Sequence, residues 1–122
     1  MDCKKNHFNP TLAILFCSIE NDLGRLVKLF NSQEIDLFGC TSAGEIINES
    51  VQGTSIVGLL LDLPKDSFKV NFSCDSSKTT YDLAVKCGKE TASTFDNPAL
   101  LVVSGGVAIN AENIVFGLKD DF

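Results

Sequence analysis

The chain has 122 residues, 44% hydrophobic and 21% charged, which is the composition of one globular domain able to bury a core without disulfides. Its formal net charge is −6 and its lysines are scattered, so nucleic acid and anionic membrane surfaces are unfavourable partners. Five cysteines at 3, 17, 40, 74 and 87 form neither CxxC nor a metal-type spacing, and they predict reduced thiols in a reducing compartment. The N-terminal MDCKKNHFNP lacks the apolar run of a signal peptide, and IVGLLL at 56–61 is too short to span a bilayer.

Residues 12–17, LAILFC, are apolar at every position, the pattern of a strand covered on both faces. Leu23, Leu26, Val27 and Phe30 then mark one helical stripe, with Asn21 or Asp22 as its cap. IDLF at 35–38 is a second strand that runs directly into GCTSAGE. EII, polar NESVQG and TSIVGLLLDL read as a hairpin whose turn is the middle segment. FKVNFSC at 68–74 alternates strictly and predicts a strand with one wet face or at a sheet edge. A long helix follows, capped by Ser76 or Ser77 and ended by Asp96-Asn97-Pro98. Its small residues Ala84, Gly88 and Ala92 would let it lie close to the sheet. ALLVV at 99–103 predicts a further strand, and Asn110 caps a last helix carrying Ile114, Val115 and Leu118. The order β-α-β-(ββ)-β-α-β-α predicts a single α/β domain over 1–122, with a mixed sheet and helices packed on it.

Two glycine-containing loops, 39–44 and 104–106, each follow a predicted buried strand, the sheet edge at which α/β proteins usually bind ligands. Gly39 and Gly44 have the glycine spacing of a phosphate loop. Glu45, however, stands where that loop needs lysine, and a strand follows where it needs a helix. Cys40 has no neighbouring cation, and the only histidine, His7, lies in the polar N-terminal segment, so a thiol nucleophile lacks its base. Cys3 and His7 form one metal-type pair without a second, and Glu45 and Glu49 fall across a strand and turn. No cofactor or metal is implied. What fits the loop is a polar metabolite: the hydroxyls of Thr41 and Ser42 and free N–H groups for a carboxylate, Glu45 for an amine, and glycine for close approach. A tight crossover in which the glycines only satisfy backbone geometry fits equally well.

The strings PTLAILFCSIENDLGRLVKLF, DLFGCTSAGEI and GTSIVGLLLDL resemble the N-terminal part of FIST domains. Gly39, Cys40, Thr41, Ser42, Ala43, Gly44, Glu45 and Ile46 match that family's G-C-[ST]-[ST]-A-G-E-I segment. Gly53, Ser55, Ile56 and Val57 match its following G-S-[VI]-V strand, with Thr54 as one extra residue. ALLVVSGGVAINAENIVFGL resembles a later strand, turn and helix, with glycine near the Gly105-Gly106 position.

The resemblance implies a cytoplasmic, non-enzymatic sensory domain for small molecules such as amino acids. Its partner would be a signalling output domain or an F-box segment. It also implies a longer family domain, of which this chain would be the first part. On this reading Gly39, Cys40, Thr41, Ser42, Ala43, Gly44 and Glu45 form the ligand loop, and Gly105 and Gly106 its opposite wall. An adaptor module without a ligand, or an enzyme using Cys40, are the alternatives.

Overall fold

The computed structural model describes residues 7–47, 50–105 and 109–120. It divides into two compact units, Met1–Val70 and Asn71–Phe122. The architecture is α/β, as the sequence predicts. No helix among the described residues is long and apolar enough to cross a membrane.

The first unit is built on β1 (Leu12–Cys17). It pairs in parallel with β2 (Asp36–Thr41) and antiparallel with β5 (Ile56–Leu61), giving a three-stranded mixed sheet in the order β2-β1-β5. The parallel pair requires a crossover, which α1 (Leu23–Ser32) supplies. Asp22 starts that helix by accepting a hydrogen bond from the Arg25 N–H at 2.9 Å. The end is a Schellman arrangement. Ile35 N–H donates to Phe30 O and Glu34 N–H to Asn31 O, each at 3.1 Å. Glu34 occupies the left-handed position, φ 59°, which usually belongs to glycine.

Leu12, Ala13, Leu15, Cys17 and Ile35 form the buried core of this unit. Phe16 is 38% exposed, so burial is tight on the face of Ala13, Leu15 and Cys17 and incomplete on the other. That corrects the expectation of a strand covered on both sides. Leu15 lies between two glycines, in register with Gly39 of β2 and Gly58 of β5. A methyl group at Gly58 would sit 2.4 Å from Leu15 Cδ2, and one at Gly39 only 1.8 Å from the Leu15 carbonyl oxygen. Gly39 also has φ 154°, a backbone conformation that side chains rarely adopt. Two side-chain bonds fasten the far end of β5. Thr11 Oγ1 donates to Leu63 O at 2.7 Å and accepts from Leu63 N–H at 3.0 Å. The Lys65–Asp36 ion pair, 2.9 Å and half exposed, contributes at most about 1 kcal/mol.

The hairpin differs from expectation. EII is β3 (Glu45–Ile47), but its partner is β4 (Ser50–Gln52), inside the segment read as a turn. TSIVGLLLDL holds β5 instead, paired to β1. Apolar composition marks a strand without naming its partner, and β1 offered the long apolar edge.

In the second unit, α2 (Thr80–Thr94) is capped by Thr79, not by Ser76 or Ser77. Ser77 is spent on a preceding turn, where its N–H and hydroxyl both donate to Asp75 Oδ1. Thr79 and Asp82 form a reciprocal capping box. α3 (Ala111–Lys119) starts at Asn110 as predicted. The two helices pack through small residues, and a methyl at Gly117 would lie 2.7 Å from Ala84 Cβ. The small stripe of α2 therefore meets a helix where a sheet was expected, and Ala92 is exposed. Tyr81 donates its hydroxyl to Asp120 across the same pair.

The predicted strands at 68–74 and 99–103 are not strands. Phe72 is 91% exposed, and Leu100 to Val103 are exposed throughout. Alternation and apolarity give a segment faces but not ladder partners, and without a ladder an extended segment is not a strand.

Gly39 and Glu34 test the backbone argument from opposite sides. Gly39→Ala places a methyl on the Leu15 carbonyl and adds strain of about 1–3 kcal/mol; chemical denaturation will show at least that loss. Glu34→Gly relieves a left-handed residue and gains up to about 1 kcal/mol. Equal stability of Gly39→Ala and wild type would remove the close approach.

Candidate functional site

The GCTSAGE segment leaves the C-terminal end of β2. Gly39, Cys40 and Thr41 belong to that strand, so the loop shrinks from the predicted 39–44 to Ser42–Gly44. The ladder runs one bond past the strand, with Ser42 N–H donating to Cys17 O at 2.9 Å. β3 follows, not a helix, so this turn lacks the helix N-terminus of a phosphate loop.

Glu45 is the centre of the site. It is only 2% exposed and is the largest side chain shielded to that degree among the described residues. Ser42 Oγ donates to Oε1 at 2.8 Å. Ser55 Oγ donates to Oε2 at 2.7 Å, and Ser55 N–H to the same oxygen at 3.3 Å. Hydrogen bonds to an ionised carboxylate favour that form. The Ser55 hydroxyl, then the Ser42 hydroxyl, therefore hold the Glu45 carboxyl below its usual range. The anion closes the base of the β3–β4 ribbon by tying residue 45 to residue 55. Thr54, just before Ser55, has φ 59°, an uncommon conformation for a β-branched residue. Asn21 adds a second tie, its Nδ2 donating to Ser18 O and Ser55 O at 3.2 Å each.

Cys17 lies beneath this network. Burial pushes its thiol pKa up, and the negative charge of Glu45 adds to the effect, followed by Cys40. A protonated thiol is a poor nucleophile. Cys17 is in register with Thr41 and Cys40 with Phe16, so the two cysteines face opposite sides of the sheet. The four described cysteines are all free.

The structure thus gathers Gly39 to Glu45 at one sheet edge. Thr41, Ala43 and Gly44 are exposed, and Cys40 and Ser42 half-buried. Gly105, exposed, belongs to the second unit, and Gly106 lies outside the described residues, as do Cys3 and Glu49. Sequence reasoning missed Ser55 and Asn21. The available signal was an isolated acid beside small hydroxyl residues, which needs donors if it is buried. An open groove of about 570 Å³ lies beside α1, lined by Asn21, Asp22, Arg25, Leu26, Lys28, Leu29 and Ile56, and it includes none of residues 39–45. No cluster of three or more metal-ligating side chains occurs among the described residues.

The depressed Glu45 pKa has a definite sign. The group contributes stability above the unfolded glutamate pKa of about 4.3, and this is lost as pH falls through the lower folded value. Asp75 and Asp82, held low mainly by Ser77 and Thr79 hydroxyls, behave likewise in the second unit. Comparison with Glu45→Gln isolates the first contribution. Wild type should melt higher than Glu45→Gln at neutral pH, and the gap should narrow as the solution is acidified below the glutamate range. A gap independent of pH would mean that the carboxylate charge is not what the serines hold.

No curated protein and no solved structure matches the chain. The model of the FIST N domain matches residues 11–122. The match takes in the central sheet, the GCTSAGEI turn with its buried glutamate, and the paired helices. The chain is a member of the FIST N domain family, a family of sensory domains in signal transduction.

Proposed function

We propose that this sensory domain recognises a small polar ligand of amino-acid type at the Ser42–Gly44 turn. The observation that carries the reading is the shielded Glu45 carboxylate, held by serine hydroxyls directly under an exposed, glycine-bearing turn. A zwitterion needs donors for its carboxylate and negative potential for its ammonium. Thr41 and the backbone N–H groups of Ala43 and Gly44 supply the first, and the charge of Glu45 supplies the second. Gly39 sets the path of β2 that delivers the turn. The protein works without catalysis, in the cytoplasm, and passes occupancy of the site to an output domain or an F-box partner.

A second reading, an adaptor that binds another protein, draws on one observation. Leu100, Leu101, Val102 and Val103 are consecutive and exposed, and contiguous exposed apolar surface is a common mark of partner contact.

Thermal unfolding against amino acids, nucleotides and central metabolites tests the first reading. A ligand at about 100 times its dissociation constant adds about 2.7 kcal/mol of stability, an easily measured shift. The shift should be confined to amino acids and their close analogues and should disappear in Glu45→Ala. A panel in which no amino acid stabilises the protein would leave the adaptor reading in possession.

A further inference from the structure

We infer that the ligand's amine docks on the Ser42 hydroxyl oxygen, which relays the charge of Glu45 to the surface, and does not touch the carboxylate itself. The inference rests on the ligand-binding reading above and specifies the polarity of that site.

The argument is one of proton count. An ionised carboxylate only accepts hydrogen bonds, and a serine hydroxyl has one proton and two lone pairs. Ser42 Oγ sits 2.8 Å from Glu45 Oε1, so its single proton is committed there. The alternative acceptor, Gly44 O, is 3.4 Å away, and an ionised acceptor wins over a neutral one at longer range. Ser55 Oγ is committed in the same way to Oε2 at 2.7 Å. Both hydroxyls are left with lone pairs alone. Ser42, half-buried, therefore presents an acceptor outward, polarised by the anion behind it. Its N–H is unavailable as well, because it donates to Cys17 O.

This reverses the expectation that Ser42 helps to hold a carboxylate. A ligand carboxylate at Ser42 would meet lone pairs with a buried anion behind them, which is repulsive. An ammonium or another N–H donor meets a charge-backed acceptor. Glu45, 2% exposed with both oxygens engaged, acts as a positioning residue. The raised pKa of Cys17, to which Glu45 contributes, is consistent with a negative field around this turn.

The test is a titration of the isotopically labelled 122-residue chain with methylammonium chloride, sodium acetate and glycine at matched ionic strength, followed by backbone amide shifts. Methylammonium and glycine should perturb Ser42 and Glu45, while acetate should not perturb Ser42. Ser42→Ala should weaken methylammonium binding about tenfold, the loss expected for a hydrogen bond to a charged group. Glu45→Gln gives a second check. Its amide can donate to Ser42 Oγ, which frees the serine proton, so preference should move from methylammonium toward acetate.

Acetate binding at Ser42 in the wild type, or methylammonium binding unchanged in Ser42→Ala, would overturn the inference and leave the ligand-binding reading standing. Perturbation of residues 41–45 by none of the three probes would overturn both. The wild-type titrations decide the polarity even if a variant fails to fold.

Discussion

The close approach of β2 to β1 at Gly39 is the constraint on which the rest of the first unit depends. The Leu15 carbonyl occupies the space where a side chain at 39 would begin. Only glycine lets the strands pair there, and the pairing fixes the register that brings Thr41 opposite Cys17 and ends the ladder at Ser42. From that end point the chain has two residues, Ala43 and Gly44, in which to turn before β3 starts. Glu45 then falls within reach of both Ser42 and Ser55. A glycine chosen for packing thus determines where a carboxylate is buried.

Burying that carboxylate sets the electrostatics of the sheet edge. A charge withdrawn from water must be matched by donors, and here the donors include two hydroxyls and an N–H. The two bonds from Ser55 close the base of the β3–β4 ribbon, next to Thr54 with its uncommon backbone conformation. In the proposed ligand site, stability and recognition would share these atoms. The hydroxyl protons of Ser42 and Ser55 are committed to the anion, and on our proposal the carboxylate would thereby set what the turn accepts. Glu45 ties the turn to the start of β5 through Ser55, and the Ser42 N–H ties it to β1.

The second unit follows a different logic. Its helices meet through Ala84 and Gly117, where small side chains allow close backbone approach, and their starts are fixed by side-chain caps at Thr79 and Asn110. The consecutive apolar residues from Leu100 to Val103 find no ladder. Their sequence describes a strand interior, and their surroundings supply no edge.

The sequence by itself determined what local chemistry decides. Apolar runs and helical spacing located β1, α1, α2 and α3, the pair Asn21 or Asp22 and Asn110 announced two helix starts, and the GCTSAGEI string identified the family. It also marked Gly39 to Glu45 as the segment to watch. Only the tertiary structure decided which extended segments became strands and which strand paired with which, because ladder bonds join residues far apart in the chain. For that reason Ser50–Gln52 became a strand and 68–74 did not. The direction of the hydrogen bonds at Glu45 was hidden for the same reason. Ser55 lies ten residues further on, and no spacing rule says that its hydroxyl turns back to a buried acid.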